Sequence, residues 1–511
     1  MRASILFLAA SLLFLAGCSV NPVTGKSELM MVSSAQEIEM GKQSYVPMQQ
    51  SQGGPYDVDP ELLSYVQDVG SRVASQSGVA LPYEFVVLNN SVPNAWALPG
   101  GKIAINRGLL TELGSEAELA AVLGHEAVHA AARHTAKQIS RSQMMQVGVA
   151  ATAIASSSSG YGDLLAGGAS TLAQLSLSKY GRSAELESDL YGMRFMSKAG
   201  YDPAGAVSLQ ETFVRLSENQ QSDWLSGLFA SHPPSQERVE ANIATAAGLP
   251  AGGRVGRDEF QGIMRKTVSA KPAYEAYDEG REALAEDKID EALALANTAL
   301  GLFNEEAHFH ALRGDARLAA EHYEMAITNY DRAISRRDAF FYYHLQRGIV
   351  NKELGRSDGA VMDLNRSIEL MPTAPAYFAL GEIAEERGDI PLAIGHYKVV
   401  AKSGGDYGKA ATAALVRLEL PTNPGAYVAR GCDADGSGNL IVSVRNDTTV
   451  VITGVQVVVS YTDSSGRAAQ QQHAIRGQIP SGQIASVNTG MGPYTPGGEC
   501  PAEVVAAEIV N

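Results

Sequence analysis

Cysteine is scarce in this sequence, whose 511 residues contain only three. Three cysteines cannot hold together a chain of this length, so its stability has to come from ordinary hydrophobic cores. An odd number also leaves at least one cysteine without a disulfide partner in the chain, and that residue needs another explanation.

Basic residues are also in short supply. Lysine and arginine number 40 against 56 aspartates and glutamates, which gives a formal net charge of −16. Binding nucleic acid without regard to sequence requires clustered positive charge, so we expect no nucleic-acid partner. A hydrophobic content of 45% and a charged content of 19% are typical of globular proteins and exclude wholesale disorder. The length predicts about two to four domains.

Long apolar runs are absent beyond the N-terminus, so no later segment is expected to span a membrane. Arg2 and the apolar run ending at Leu15 are typical of a signal peptide, here residues 1–17. The Leu-Ala-Gly-Cys ending at Cys18 resembles the lipobox of bacterial lipoproteins, which implies cleavage before Cys18 and lipidation of that residue. Ser19, in place of aspartate, implies transport to the periplasmic face of the outer membrane, with lipid as the only anchor. A secreted protein with a free thiol is the alternative.

The composition changes several times along the chain. Residues 18–55 are polar and rich in glutamine, serine and glycine, which predicts a tether. Residues 56–265 mix helical and strand patterns and predict an α+β, mainly helical domain. Within it, residues 148–175 consist largely of glycine, alanine and serine with almost no charge. This stretch is either a linker or a mobile flap.

Residues 270–418 contain a repeat. Gly280, Gly314, Gly348 and Gly381 are 34, 34 and 33 residues apart, and an alanine follows each of them twelve residues later. A period of about 34 residues with small residues at helix crossings is the signature of tetratricopeptide repeats. We therefore expect an α-solenoid of about four repeats, an architecture that usually offers a concave surface to protein partners.

Residues 424–511 change to short alternating apolar runs separated by glycine, aspartate and proline, which predicts a small all-β sandwich. Cys432 and Cys500 bracket this segment. In an oxidising compartment the two are expected to form a disulfide, and two unpaired buried thiols are the alternative.

The most specific motif is His125-Glu126-Ala127-Val128-His129. Residues four apart share one face of a helix, so two imidazoles can converge on one metal ion, with Glu126 alongside to reach a water. Zinc accepts neutral nitrogen donors, keeps one position open for catalysis and lowers the pKa of its water. Two histidines satisfied within a core are the alternative reading.

A third ligand is required, and zinc sites with two histidines often use a glutamate. Glu185 and Asp189 are four residues apart and share a helix face, whereas Glu187 points elsewhere. One of the two acids could bind the metal while the other receives a histidine N–H.

Together these motifs resemble the zinc metallopeptidase family M48, which contains the CAAX prenyl endopeptidases, and in particular its periplasmic branch fused to tetratricopeptide repeats. The resemblance covers about residues 20–245 and departs from the family at Gly181, where serine is usual. Further matching segments are Asn21-Pro22-Val23-Thr24-Gly25, Asn94-Ala95-Trp96-Ala97-Leu98-Pro99-Gly100-Gly101, Arg107-Gly108-Leu109-Leu110 and Ser231-His232-Pro233-Pro234.

The resemblance implies a gluzincin-type fold with one Zn²⁺ bound by His125, His129 and Glu185. It implies Glu126 as general base and Asp189 as support for a ligand.

His232 is placed near the metal by the same resemblance, either stabilising the tetrahedral intermediate or occupying the open zinc position as a latch. Arg238 could assist the oxyanion or form a structural salt bridge. His134 is rotated off the metal face and is expected to be structural.

Substrate binding is expected on an edge strand beside the metal helix, where an extended peptide can add as a further strand. The candidates are Ala97, Leu98, Pro99 and Gly100, although this segment could also be a plain hairpin turn.

The sequence thus predicts a lipid-anchored zinc endopeptidase that hydrolyses peptide bonds of unfolded or stalled outer-membrane proteins. Its repeats would recruit these clients or an assembly machine. The alternative is a chaperone or scaffold for outer-membrane protein assembly, with a latent zinc site.

Overall fold

The computed structural model describes residues 17–141, 180–218, 232–462, 468–496 and 499–510. Nearly all of the expected signal peptide lies outside these ranges, and so does the 148–175 stretch expected to be a linker or a flap. The chain divides into two units, Met1–Val350 and Asn351–Asn511. Among the described helices, none is both long enough and apolar enough to cross a bilayer.

The first unit contains a strand pair, an α+β domain and paired helices. Its strands are β1 Gly17–Val20, β2 Ser27–Met30, β3 Glu84–Leu88, β4 Ala95–Leu98 and β5 Lys102–Asn106. Its helices are α1 Ser34–Ser51, α2 Pro60–Ala74, α3 Arg107–Leu110, α4 Glu116–Ala131, α5 Arg182–Lys198, α6 Ala204–Glu218, α7 Gln236–Ala247, α8 Arg257–Ser269, α9 Lys271–Ala285, α10 Ile289–Leu302, α11 Ala307–Ala319, α12 Tyr323–Arg336 and α13 Phe341–Glu353, which extends into the second unit.

The α+β domain is built on a three-stranded sheet in the order β3-β5-β4, with β3 parallel and β4 antiparallel to β5. Successive side chains of β4 face opposite sides of the sheet. Ala95 and Ala97 join the core around α4, whereas Trp96 and Leu98 pack with α1. Enclosed by the sheet and the neighbouring helices, α4 is buried at every residue.

Residues 18–55 are folded against this domain, so the expectation of a tether is wrong for this stretch. β1 and β2 form an antiparallel pair, and Ser33 starts α1 with a reciprocal capping box. Arg133 donates to the Glu37 carboxylate at 2.6 Å and to the Val32 carbonyl at 2.7 Å. The polar composition led to a wrong prediction because Glu37 and Val32 lie 96 and 101 residues before Arg133 in the sequence.

The second unit continues with helices and ends in strands. Its helices are α14 Ser357–Leu370, α15 Ala374–Glu386, α16 Ile390–Val400 and α17 Gly405–Glu419. Its strands are β6 Val428–Ala434, β7 Leu440–Asn446, β8 Ile452–Thr462, β9 Ala468–Ala474, β10 Ile484–Asn488 and β11 Ala502–Ile509.

Helix pairs occupy the positions that the 34-residue period predicts, with α9 packed on α10, α11 on α12 and α15 on α16. The repeated glycines lie where the paired helices cross. A Cβ on Gly314 would lie 2.7 Å from the Tyr330 ring, and one on Gly381 would lie 2.6 Å from the Tyr397 ring. The tetratricopeptide fold is confirmed, because the small and aromatic positions of the sequence repeat meet in equivalent contacts.

The C-terminal strands form two three-stranded antiparallel sheets, ordered β10-β7-β6 and β11-β8-β9. Their inward residues share one core that includes Val442, Val444, Val457 and Val459, which confirms the all-β sandwich. Cys432, in β6, and Cys500, just before β11, form a disulfide between the two sheets.

Glu306 joins the first repeats to the α+β domain within the first unit. It is fully buried and accepts hydrogen bonds from the Asn89 amide at 2.9 Å and from the Tyr274 hydroxyl. Burial alone would raise its pKa, but the charges of His308 and Arg337 and the hydrogen bonds from the His308 N–H and the Tyr274 hydroxyl outweigh burial and lower the pKa of Glu306 to about 2. Its ionised form therefore stabilises the fold above the unfolded pKa, and this contribution is lost as the pH falls towards 2.

We therefore expect Glu306→Gln to lower the free energy of unfolding of the first unit by about 3 kcal/mol at pH 7. The difference from wild type should shrink as the pH falls from about 5 towards 2. Urea unfolding followed by tryptophan fluorescence measures this, because Trp96 packs between β4 and α1 in the first unit.

The control is Glu305→Gln, which makes the same change at an exposed neighbour. An effect that does not vary with pH, or equal effects of the two substitutions, would contradict this account of Glu306.

Candidate active site

The helix that carries the histidine motif is fixed at its start and along its length. Ser115 caps α4, its Oγ accepting the Glu118 N–H at 3.3 Å. His125 and His129 lie one turn apart on the same face of the helix. Their Nε2 atoms are 3.0 Å apart.

Helix α5 crosses α4 at backbone contact because glycine occupies both sides of the crossing. A Cβ on Gly192 would lie 2.9 Å from the backbone nitrogen of His125, and one on Gly124 would lie 3.1 Å from the Gly192 carbonyl oxygen. Asp189 and Glu185, about one and two turns before Gly192, are thereby held beside the imidazoles.

Four buried side chains converge at this crossing: His125, His129, Glu185 and His232. The Glu185 oxygens lie 3.5 Å from His125 Nε2 and 3.4 Å from His129 Nε2. His232 Nδ1 lies 3.3 Å from His125 Nε2 and 3.2 Å from Glu185 Oε1. Donors of a tetrahedral zinc ion are about 3.3 Å apart when its bonds are about 2.0–2.1 Å long. The four donors therefore fit one zinc ion.

The tautomer of His125 supports the same fit. Its Nδ1 lies 2.9 Å from Asp189 Oδ1, and an ionised carboxylate can only accept, so this nitrogen donates its hydrogen. In a neutral ring Nε2 then carries a lone pair, directed at the other donors. Asp189 thus lies where the resemblance implies, hydrogen-bonded to His125.

Arg238 balances part of the acidic charge. Its guanidinium donates to both Asp189 oxygens, at 2.7 and 2.8 Å, and lies 3.1 Å from Glu185. Burial would raise the pKa of both carboxyls, but hydrogen bonds from Arg238 and His125 keep the pKa of Asp189 low. His232, His125 and His129 keep the pKa of Glu185 far below its usual range. Arg238 is therefore an ion-pair partner here, the second of its two expected roles.

Glu126 lies beside the four donors with one oxygen free. Its Oε1 is 3.5 Å from His232 Nε2, and its buried Oε2 has no hydrogen-bond partner among the described residues. Burial raises the pKa of Glu126, which favours uptake of a proton. A cavity of about 30 Å³ lined by Glu126, His125 and His232 adjoins it.

The contact between His134 and the site was missed by the sequence analysis. Its Nδ1 lies 3.0 Å from His129 Nδ1, and its Nε2 lies 3.2 Å from Glu187. The sequence analysis had placed both His134 and Glu187 away from the metal site. The only sequence signal was a further histidine five residues after His129, which helical periodicity places on the wrong face.

The segment expected to bind substrate divides into two parts. Ala97 and Leu98 lie in the edge strand β4, where Ala97 joins the core around α4 and Leu98 packs against α1, so their substrate contact stays a prediction. Pro99 and Gly100 instead form the hairpin turn and pack against α1, where a Cβ on Gly41 would lie 1.8 Å from the Pro99 carbonyl oxygen. These two residues are unavailable to a peptide, so their expected substrate contact is wrong.

A motif helix buried against a small sheet, with a glutamate supplied by a following helix, is the arrangement expected of a metallopeptidase domain that binds its metal through two histidines and a glutamate. Residues 60–245 match the family described as Peptidase family M48. This part of the chain is similar to M48 peptidase domains, and tetratricopeptide repeats follow it.

The relatives include two classes of protease. The chain is 33% identical over 230 residues to the mitochondrial metalloendopeptidase OMA1 of Schizosaccharomyces pombe, covering 43% of this chain and 63% of that one. It is 26% identical over 278 residues to the beta-barrel assembly-enhancing protease of Escherichia coli, covering 53% and 55%. The chain thus spans less than two thirds of the length of each of these two relatives. The crystal structure of MamA covers 28% of this chain and 87% of its own at 20% identity, with a TM-score of 0.24.

We expect Arg238→Gln to lower the free energy of unfolding of the metal-free first unit by about 3–5 kcal/mol, because it strands two buried carboxylates. Urea unfolding in the presence of a chelator measures this.

Arg182→Gln is the matched control, because Arg182 forms an exposed ion pair with Glu237 and its loss should not be measurable. A loss below about 1 kcal/mol for Arg238→Gln would show that the buried ion pair does not hold the site together.

Proposed function

We propose that the chain is a lipid-anchored zinc endopeptidase at the periplasmic face of the outer membrane. Its substrates are unfolded or stalled outer-membrane proteins, which its repeats recruit alone or together with assembly machinery. The observation that carries the hydrolase assignment is the buried oxygen of Glu126, to which no described residue donates a hydrogen bond, beside a four-donor site. The bacterial relatives named as beta-barrel assembly-enhancing proteases support the substrate class.

The chemistry divides between the metal and the chain. A zinc ion supplies a Lewis acid and a water acidic enough to react near neutral pH. Glu126 takes a proton from the attacking water through its free oxygen and delivers it to the leaving amine nitrogen as the peptide bond breaks. Asp189 and Arg238 hold His125 in the tautomer that directs Nε2 into the site.

The anchor assignment rests on the sequence around Cys18. The backbone of Cys18 pairs with Leu29 in the strand pair, and Asn21, three residues later, is buried against the peptidase domain. A lipid at Cys18 would therefore hold the catalytic domain close to the membrane surface, without a long tether between them.

His232 acts as a latch in this proposal. Its Nδ1 occupies the fourth corner of the donor set, the position that a catalytic zinc site keeps open. The adjoining cavity of about 30 Å³ holds roughly one water molecule, which is far too little for a peptide. Catalysis then requires His232 to leave. The alternative function is a chaperone or scaffold with a latent zinc site. The same occupied fourth position supports it, because a site closed by His232 cannot cleave a peptide.

Glu126→Gln should abolish cleavage while the zinc content stays at one ion per chain, since it removes the proton acceptor and no ligand. We expect kcat on an unfolded protein substrate to fall by at least about 100-fold. A periplasmic proteome comparison between wild type and this variant should reveal uncleaved clients. Glu112→Gln, outside the site, is the control for the substitution.

Cleavage at the wild-type rate by Glu126→Gln would contradict the hydrolase proposal. A silent Glu126→Gln in cells, combined with loss of function on deleting the repeats, would favour the scaffold.

His232→Ala should raise kcat, because it opens the fourth position. The measurement is the initial rate of cleavage of the same unfolded substrate, with zinc content determined in parallel. Lower activity at unchanged zinc content would show instead that His232 stabilises the transition state. His322→Ala, which removes an exposed histidine from the repeats, should leave the rate unchanged.

A further inference from the structure

We propose that His134 and Glu187 position the metal ligand His129, through a hydrogen-bond chain that Asn21 extends to the N-terminal turn. This assignment rests on the proposed zinc site and goes beyond its ligands and general base. None of the three lines the cavity beside Glu126, so they are positioning residues and not catalytic ones.

The direction of each hydrogen bond follows from the carboxylate of Glu187, at which this series of hydrogen bonds ends. Glu187 can only accept, so the His134 Nε2–H donates to its Oε1 over 3.2 Å. In a neutral ring His134 Nδ1 is then an acceptor, and it receives the His129 Nδ1–H over 3.0 Å. His129 Nε2 is left with its lone pair directed at His125 Nε2, 3.0 Å away. A carboxylate on α5 thereby fixes the tautomer of a histidine on α4.

The two histidine ligands are oriented by the same helix in different ways. His125 reaches Asp189 directly, at 2.9 Å. His129 lies one turn further along α4, and the imidazole of His134 bridges the gap to Glu187. Tyr180 stacks on the His129 ring with centroids 3.8 Å apart, which fixes the plane of the ring. The hydrogen bonds that start at the Nδ1 atoms of both ligands thus lead to a carboxylate of α5, and a hydrogen-bonded carboxylate is usual for histidines that bind metals.

Asn21 holds the Glu187 carboxylate, at the end of the hydrogen-bond series that is farther from the metal site. This residue is 1% exposed, and its amide donates to Glu187 Oε1 at 3.3 Å and to the Ala132 carbonyl at 3.4 Å. Its own oxygen accepts the N–H groups of Val23 and Thr24, which fixes the turn it belongs to. The Asn21–Gly25 segment, matched to the family but without a role in the sequence analysis, thereby contacts the support of a metal ligand.

The test is the zinc affinity of the full chain, measured by competition with a chelator. Glu187→Gln and His134→Phe should each weaken zinc binding by about 10–100-fold, and Asn21→Ala should weaken it less. Because both residues act through the same hydrogen bond to His129, the double variant should bind no more weakly than the weaker single variant. The visible spectrum of the Co²⁺-loaded protein should change in both single variants.

Glu237→Gln is the matched control, because it removes an exposed carboxylate that also pairs with α5. It should leave the affinity and the spectrum unchanged. The unfolding midpoint of metal-free Glu187→Gln should stay close to wild type, since a positioning role acts on the bound metal.

Zinc affinities of Glu187→Gln and His134→Phe within twofold of wild type would overturn the inference. So would a loss of affinity fully matched by a fall in metal-free stability with an unchanged Co²⁺ spectrum, because that result would indicate packing alone. Failure of the zinc site itself is distinguishable, since wild type would then bind no stoichiometric zinc.

Discussion

Two imidazole nitrogens, His125 Nε2 and His129 Nε2, face each other 3.0 Å apart in the buried centre of the peptidase domain. With hydrogens on both Nδ1 atoms and both rings neutral, both Nε2 atoms present lone pairs, which repel unless a metal ion or a proton lies between them. The surrounding charges favour a cation at the same place. Glu126, Glu185 and Asp189 are buried beside one guanidinium, that of Arg238. If all three carboxyls are ionised, the excess of two negative charges matches one divalent ion.

Much of the domain exists to hold this arrangement. Gly124 and Gly192 allow α4 and α5 to cross at backbone contact, so the acids of one helix reach the histidines of the other. Arg133, at φ 61°, ends the motif helix and binds the N-terminal segment. The N-terminal turn, the motif helix and the acidic helix therefore form one connected framework around the donors.

The sequence could predict what depends on local spacing. The five-residue motif, the Glu185–Asp189 pair and the 34-residue repeat each encode a helix face, and helix faces can be read from periodicity. The alternation beyond residue 424 likewise predicted the β sandwich. These predictions are correct because each depends on residues that lie close together in the sequence.

Features that depend on distant partners escaped prediction. Helical periodicity placed His134 off the metal face, but α4 ends at Ala131 and the left-handed Arg133 turns the chain, which brings the His134 ring back to His129. The N-terminal residues looked like a tether because their polar side chains are satisfied by groups 96 to 166 residues away, at Arg133 and Glu187. Pro99 and Gly100 were assigned to the substrate edge because nothing in their own sequence reveals the contact with α1.

The central claim is that one zinc ion takes its ligands from His125, His129, Glu185 and His232. X-ray absorption at the zinc edge of the full chain tests it most directly. The account predicts three imidazole ligands, a carboxylate oxygen at about 2.0–2.2 Å and no sulfur, with one imidazole fewer in His232→Ala. A spectrum with sulfur ligands, or one that the His232→Ala substitution leaves unchanged, would contradict it.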